Sequence, residues 1–267
     1  MILSMRDKII LGSFATLVVV AILSQYMYSP AAPANVEVNT KDTVEVTLLT
    51  NAGIMIEAKD TRIYIDPIDL PQEYRDLKAD AILITHDHSD HYQYATINML
   101  QKEDTMNVFP AIMDNEIRWH HGVAVAPGDE FEVGEIKVTA YYMYTLSPDP
   151  NTPASHPAES RYTSYIIDID GFTIFHAGDS KNIPEYEELT DKISVALLPL
   201  GPGCQTMYGE EVVDVVQVIQ PEYMIPIHYT DDSYRQFNSI YKRSVEALTD
   251  CTVCSLEYFS SYSFEIG

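Results

Sequence analysis

Residues 85–91 read Thr-His-Asp-His-Ser-Asp-His and come directly after the apolar run Ala-Ile-Leu-Ile. A short apolar run bounded by a polar turn predicts a buried strand. His86 and His88 would leave the end of that strand on the same side, and Asp90 and His91 would follow on the turn. Imidazole and carboxylate groups suit Zn²⁺ and related divalent ions. The stretch therefore predicts a metal site that offers ligands for more than one ion.

Two plainer interpretations of this stretch fit it less well. A lone histidine near a strand end is usually an ordinary polar residue, but three histidines and two aspartates stand within the six positions 86–91. A structural zinc site normally closes four ligands around the ion and often uses cysteine, which this stretch lacks. The pattern thus favours a catalytic metal site over a structural one.

The pattern His-x-His-x-Asp-His after an apolar strand resembles the signature of the metallo-β-lactamase fold. The resemblance implies an α/β protein built as an αββα sandwich, with two mixed β-sheets face to face and flanking helices. The order of predicted elements agrees with that fold, because strands, a ligand loop and alternating helices and strands are followed by a second such set. The resemblance covers residues 43–267.

Within this family the chain looks most similar to the metal-dependent hydrolase group. That group includes the ascorbate-phosphate lactonase-like proteins and the phospholipase D that releases N-acylethanolamines from N-acylphosphatidylethanolamine. The closer similarity lies in residues 174–180, 197–207 and 225–229. It suggests a small-molecule or lipid-derived substrate as the partner of the site.

Three more residues take roles from the resemblance alone. Asp179, in a Gly-Asp pair after a predicted hairpin, matches the carboxylate that bridges two metals in the family. His228, at the end of the last predicted core strand, matches the final metal histidine. Asp66, before Pro67, matches an aspartate that supports the ligand loop by hydrogen bonds rather than binding metal. A simple turn residue is an equally good interpretation of Asp66.

His156 lies in a long, proline-rich loop at 145–160. Taken alone it would be an ordinary loop histidine, although loops this long inside a compact domain are often functional. The family places its third histidine in a comparable loop, so His156 is the candidate that completes a three-histidine site.

The resemblance implies a dinuclear hydrolase that cleaves an ester, lactone or phosphodiester with a hydroxide bridging two divalent ions. Zinc is the expected metal, and Mn²⁺ or Fe²⁺ would suit the same ligands. Asp90 and Asp179 are the predicted catalytic residues, since Asp90 would also orient the nucleophile. The implied ligand sets are His86, His88 and His156 for one ion, Asp90, His91 and His228 for the other, and Asp179 between them.

Two other functions remain open at this point. One is a mononuclear iron redox enzyme on the same fold; diiron redox relatives usually carry an acidic residue where His88 stands. The other is a non-catalytic binding domain at the cell surface, but degenerate family members usually lose ligands and this chain retains all seven.

Other residues capable of metal binding or redox chemistry are not assigned to the predicted site. His120 and His121 are adjacent, so their side chains point apart, and no acidic neighbour completes a site. Cys204, Cys251 and Cys254 are too few for a disulfide scaffold and are assigned no chemistry.

Composition excludes one class of partner. The 267 residues include 40 acidic and 16 basic side chains, for a formal net charge of −24. Such a surface repels polyanions, so we expect no nucleic-acid partner. Hydrophobic residues make up 46% of the chain, which is enough for a substantial core.

The N-terminus predicts a targeting segment at residues 1–28. Arg6 and Lys8 precede an uncharged run at 9–23, the arrangement of a signal sequence. An Ala-Pro-Ala triplet at 32–34 offers a cleavage site, whereas the longer stretch at 9–28 is also just long enough to remain as a membrane anchor. In either case the positive flank stays inside and the following domain lies outside the cytoplasm, secreted or membrane-anchored.

The rest of the chain divides into two parts. Residues 29–42 are rich in proline and alanine and predict an extended linker. Residues 43–267 have the length and the hydrophobic pattern of one hydrolase domain.

Overall fold

The structure is a computed structural model that describes residues 43–147, 149–201 and 203–266. The predicted signal or anchor segment at 1–28 and the linker at 29–42 lie outside these residues. Within the described part of the chain, no helix has both the length and the apolar character needed to cross a bilayer.

Seven strands form the first sheet, and they change from antiparallel to parallel pairing along it. The strands that begin it alternate apolar and polar residues, as expected of strands with one buried face. The members are β1 (Thr43–Leu48), β2 (Ile54–Ala58), β3 (Thr61–Ile65), β4 (Ala81–Leu83), β5 (Met106–Pro110), β6 (Val123–Val125) and β14 (Ser260–Glu265). Their order is β14-β1-β2-β3-β4-β5-β6, antiparallel as far as β3 and parallel from β3 to β6.

The second sheet repeats this plan with the other seven strands. Its members are β7 (Glu130–Val133), β8 (Ile136–Tyr142), β9 (Thr163–Ile169), β10 (Phe172–His176), β11 (Val195–Pro199), β12 (Tyr223–Ile227) and β13 (Thr252–Val253). The order is β13-β12-β11-β10-β9-β8-β7, with antiparallel pairs from β7 to β10 and parallel pairs from β10 to β13. Both sheets are therefore mixed.

The main core lies between the two sheets. Ile56 and Ile63 of the first sheet and Ile167 and Ile174 of the second belong to one cluster of fully buried residues. Burial of such side chains contributes about 1.5–3 kcal/mol each. Because every strand needs one face in this layer, the two sheets pack face to face.

Helices cover the outer faces. Helix α1 (Tyr94–Leu100) buries Ile97 and Leu100 against the first sheet, and α2 (Asp114–Trp119) follows β5. Helix α3 (Gly209–Ile219) buries its apolar side against the second sheet. These layers confirm the predicted αββα sandwich.

The structure differs from the predicted elements near the C-terminus. The sequence of residues 232–248 predicts a single helix, but the structure has α4 (Asp231–Gln236), a π-helical turn (Phe237–Tyr241) and α5 (Lys242–Leu248). The sequence of residues 253–266 predicts closing strands, and in the structure the strands near the chain end belong to different sheets, because β13 pairs with β12 whereas β14 pairs with β1. The C-terminal part of the chain thus contributes one strand to each sheet.

Candidate metal centre

The ends of parallel strands bring the predicted ligands together. The motif at 85–91 follows β4, Asp179 follows β10, and His228 follows β12 directly. Each of these strands is parallel to a neighbour, and carboxyl ends of parallel strands meet at one edge of a sheet. The site therefore lies where the carboxyl edges of the two sheets meet.

Hydrogen bonds between the sheets hold the motif strand in place. The hydroxyl of Tyr165, on β9, donates to the carbonyl of Ile84 over 2.8 Å. The backbone N–H of Thr163, also on β9, donates to the carbonyl of Thr85 over 3.1 Å. The second sheet thus fixes the position from which the histidines of the first sheet project.

One group of potential ligands contains three histidines and Asp179. Ligand atoms of His86, His88, His156 and Asp179 all lie within 4.8 Å of one another. Nε2 of His156 is 3.2 Å from Nδ1 of His88, and Oδ2 of Asp179 is 3.7 Å from Nε2 of His156. The long loop therefore brings His156 to the motif, 68 positions away in the chain.

The second group contains Asp90, His91 and His228, whose ligand atoms also lie within 4.8 Å of one another. Oδ2 of Asp90 is 3.3 Å from Nε2 of His228 and 3.9 Å from Nε2 of His91. All seven residues that the sequence and the resemblance single out as ligands are thus brought together, in the two predicted groups. Their binding of metal stays a prediction.

Asp179 lies between the two groups. Its Oδ1 is 3.1 Å from Nε2 of His91, in the second group. Its Oδ2 is 3.9 Å from Nε2 of His86, in the first group, and 3.3 Å from Nε2 of His228. The two oxygens of one carboxylate therefore face both sets of ligands.

Some polar atoms of the cluster are buried and lack hydrogen-bond partners, and their chemistry indicates whether the cluster suits metal ions. Among the described residues, Nε2 of His86, Nε2 of His91 and both carboxylate oxygens of Asp179 have no hydrogen-bond partner. Leaving such a buried group unpaired costs about 1–3 kcal/mol, and more if it is charged. Imidazole nitrogens and carboxylate oxygens converging in this way form a donor set that fits divalent cations.

The charges of the cluster also favour a cation. Burial, aided by neighbouring His91, holds the pKa of His86 well below its ordinary value, and burial lowers the pKa of His156 to about 4. Burial alone would lower the pKa of His91, but the charges of Asp179 and Asp66 raise it well above its ordinary value. In the absence of a metal ion, the nearby carboxylates therefore keep His91 protonated. A bound metal ion would take the place of that positive charge.

Asp66 lies behind the ligands and orients one of them. Its carboxylate accepts hydrogen bonds from the backbone N–H of Thr85 over 2.8 Å and from the hydroxyl of Thr85 over 2.6 Å. Nδ1 of His91 is 2.7 Å from Oδ2 of the same carboxylate. A proton on Nδ1 leaves Nε2 facing the centre. These contacts match the supporting role that the resemblance implies for Asp66.

Thr85 selects the tautomer of His86 in the same way. Because the Thr85 hydroxyl donates its one proton to Asp66, it can only accept from Nδ1 of His86, which lies 2.9 Å away. Nε2 of His86 then carries the lone pair that faces the other ligands.

Asn51 and Tyr162 contact the motif and were missed in the sequence. The side-chain amide of Asn51 donates to the backbone carbonyl of Asp90 over 2.8 Å, and the backbone N–H of His228 donates to the carbonyl of Asn51 over 3.0 Å. The hydroxyl of Tyr162 donates to Asp87 over 2.6 Å. The sequence around Asn51, which reads Asn-Ala-Gly, predicts only a turn, and no local signal marks Tyr162.

His176 and Gly178 form the turn that presents Asp179. Nε2 of His176 is 2.8 Å from the carbonyl oxygen of Ala52, and the backbone N–H of Gly178 donates to its Nδ1 over 3.1 Å. With both nitrogens engaged, His176 orients the turn. Gly178 has a φ of +56°, a backbone conformation that favours glycine.

The histidines set aside in the sequence belong to no ligand group in the described chain. Nε2 of His120 is 3.0 Å from the hydroxyl of Tyr92, and its ring stacks on Phe109. Cys251 and Cys254 are buried free thiols. Cys204 behaves differently, because its sulfur lies near ligand atoms of the cluster.

Comparison with known proteins identifies the family. The model of the β-lactamase superfamily domain matches residues 45–228, from the first strand to the last candidate ligand. This chain belongs to the β-lactamase superfamily. The match includes every residue of the two ligand groups.

Relatives with similar descriptions match most of this chain. A UPF0173 protein of Pyrococcus furiosus is 30% identical over 185 residues, which cover 67% of this chain and 80% of the relative. A UPF0173 metal-dependent hydrolase of Lysinibacillus sphaericus is 28% identical, over 70% of this chain and 85% of the relative. The resemblance to the metal-dependent hydrolase group of the superfamily is confirmed.

A solved structure supports the same grouping. A Parabacteroides distasonis protein, described as a metal-dependent hydrolase, superposes with a TM-score of 0.68 and 27% identity. The alignment covers 80% of this chain and 93% of that protein. The αββα sandwich is thus shared along nearly the whole of that relative.

Proposed function

We propose that this metal-dependent hydrolase cleaves an ester, lactone or phosphodiester at a dinuclear centre. His86, His88 and His156 would hold one divalent ion, and Asp90, His91 and His228 would hold the other. Asp179 would bind both. Zinc is the expected metal, and Mn²⁺ or Fe²⁺ would suit the same nitrogen and oxygen ligands.

The position of Asp179 carries this proposal. Its side chain is fully buried, and neither oxygen has a hydrogen-bond partner among the described residues. One oxygen faces His91, and the other faces His86, His156 and His228. A buried carboxylate must be paired with positive charge, and the two oxygens of this one could each meet an ion, one in either ligand group.

Two bound divalent ions would supply Lewis acidity and lower the pKa of water at the centre, so that hydroxide is present near neutral pH. The residues of the chain position the reactants around that chemistry. Asp179 has no exposed side-chain surface, whereas the Asp90 side chain is 43% exposed. Asp90 is therefore the carboxylate that a substrate and its attacking water can reach.

Asp90 is prepared to act as an acceptor. The hydrogen bond with His228 holds the pKa of Asp90 well below its ordinary value, although burial opposes this. An ionised carboxylate would accept a hydrogen bond from the attacking water and so orient the lone pair of that water toward the substrate. The side-chain amide of Asn51 donates a hydrogen bond to the backbone of Asp90. The turn between β1 and β2, which carries Asn51, therefore helps to position the Asp90 carboxylate.

The charge of the chain bears on the substrate. A net charge of −24 disfavours a polyanionic substrate such as nucleic acid. A neutral or singly charged small molecule, or a lipid-derived ester, meets less repulsion. We propose this class as the substrate.

Metal content of the purified full-length chain tests the proposal first. We expect about two zinc or manganese ions per chain by elemental mass spectrometry. A single iron ion would instead indicate the redox enzyme, and no metal would indicate a binding domain. Asp179→Ala should abolish turnover in a screen of esters, lactones and phosphodiesters, because the ions lose their shared ligand.

His121→Asn is the matched control, since His121 is exposed and lies outside both ligand groups. Asparagine suits its left-handed backbone, where φ is +50°. Turnover by Asp179→Ala at the rate of the control would refute the bridging role.

A further inference from the structure

The thiol of Cys204 lies at the edge of the second ligand group. Its sulfur, a carboxylate oxygen of Asp179 and a ring nitrogen of His228 all lie within 4.8 Å of one another. Cys204 is a free, half-buried cysteine. Neither the sequence motif nor the family match assigns it a role.

The sulfur faces an unpaired acceptor without bonding to it. Both oxygens of Asp179 are fully buried and have no hydrogen-bond partner in the described chain, so the thiol does not donate to either oxygen. A sulfur, a carboxylate oxygen and an imidazole nitrogen thus converge on the same space. Zinc binds sulfur at about 2.3 Å and nitrogen at about 2.0 Å, so two such ligand atoms on one ion lie at most about 4.3 Å apart, close to the 4.8 Å within which these three atoms fall.

The loop of Cys204 is fastened to the loop of His156. The side chain of Gln205 accepts a hydrogen bond from the backbone N–H of Ser155 over 3.0 Å and donates to the carbonyl of Pro153 over 3.1 Å. On its other side the loop is tied to the strand that ends before His228, because the N–H of Leu200 donates to the carbonyl of Ile227 over 2.8 Å. The sulfur is therefore anchored from both sides.

We propose that Cys204 is an additional ligand of the ion held by Asp90, His91 and His228. On binding, the thiol loses its proton to solvent, and the thiolate donates a lone pair to the metal. This inference rests on the dinuclear centre proposed above. Thiolate is a soft ligand that suits zinc better than manganese, so Cys204 would make the second position selective for zinc.

Cobalt substitution gives a readout that does not depend on activity. The metal-stripped full-length chain is titrated with Co²⁺ alone, and absorption and bound cobalt are measured together. Thiolate bound to Co²⁺ produces a charge-transfer band in the near ultraviolet. We expect that band in the unchanged chain, its loss in Cys204→Ser, and its retention in Cys254→Ser, whose sulfur is buried in the core between the sheets.

A second measurement follows the thiol directly. Alkylation of Cys204, located by peptide mass spectrometry, should be at least tenfold slower when the chain is loaded with zinc than when it is metal-free. This comparison uses the unchanged sequence, so it does not depend on how a variant folds.

The outcomes separate the two proposals. Two bound cobalt ions without a charge-transfer band, or equal alkylation rates with and without zinc, would overturn the role of Cys204 and leave the dinuclear centre intact. Failure to bind two cobalt ions would overturn the dinuclear centre itself, and absence of any bound cobalt would overturn both.

Discussion

Asp66 orients two candidate metal ligands through hydrogen bonds. Its carboxylate is fully buried and accepts from Thr85 twice and from Nδ1 of His91. Through these contacts it selects the ring nitrogen that His91 presents and, by way of the Thr85 hydroxyl, the one that His86 presents. One aspartate thus prepares a ligand in each of the two groups.

Replacing Asp66 with asparagine should weaken metal binding about 10- to 100-fold, because an orienting acceptor behind a ligand is lost. Competition against a chelator of known affinity measures this change. Asp104→Asn is the control, since Asp104 is exposed, pairs with Lys102 and lies outside the ligand groups of the described chain. Equal affinity in both variants would contradict the orienting role of Asp66.

The turn after β10 depends on close packing as well as on backbone conformation. A Cβ atom at Gly178 would lie 2.6 Å from the sulfur of Met143 and 3.2 Å from Cβ of Thr85. Gly171, in the hairpin before β10, also has a positive φ but has no atom within 4 Å of such a Cβ. Alanine substitutions at the two glycines therefore distinguish the cost of backbone strain from the cost of crowding.

Gly178→Ala should destabilise the protein by about 2–5 kcal/mol, combining about 1–2 for the left-handed backbone with about 1–3 for overpacking. Gly171→Ala should cost only the first part. Denaturant unfolding measures both, and metal content should fall in Gly178→Ala alone because Asp179 follows it directly. If the two variants are equally stable and retain equal metal, crowding does not position Asp179.

Across the whole domain, the metal centre should contribute to stability. The candidate ligands follow strands of both sheets, except His156, which lies in the long loop at 145–160, so ions that bind them only in the folded state would stabilise it. At a concentration 100 times its dissociation constant, one ion adds about 2.7 kcal/mol. For a domain of this size that corresponds to about 5–10 °C in melting temperature.

A chelator should therefore lower the melting temperature by at least this amount, and zinc should restore it. Differential scanning calorimetry on the full-length chain measures both steps. An unchanged melting temperature in metal-free protein would mean that the cluster is stable without ions.

The N-terminal sequence bears on the location of the whole protein in the cell. We propose that residues 1–28 direct the hydrolase domain out of the cytoplasm. Full-length protein should then fractionate with membranes or appear outside the cytoplasm, whereas a chain lacking residues 1–28 should stay in the cytosol. Recovery of the full-length chain from the cytosol would contradict the proposal.

The fold could be predicted from sequence because its signals are local. Each of these signals depends on neighbours within a few positions. They are the alternation of apolar and polar residues in the strands, the ligand motif after an apolar run, and the helical spacing of the apolar residues in α3. The end of the chain was harder, since β13 has only two residues and β13 and β14 join different sheets. Which sheet a short strand joins depends on partners far away in the chain.

The sequence by itself determined that this protein carries a histidine- and aspartate-rich motif at the end of a buried strand, because strand and turn geometry place ligands two positions apart on one side. Only the tertiary structure decided what surrounds that motif. Asn51 contacts Asp90 across 39 positions, Tyr162 contacts Asp87 across 75, and Cys204 reaches His228 through a different loop. Such contacts depend on how two sheets and their loops pack, and no local pattern records that packing.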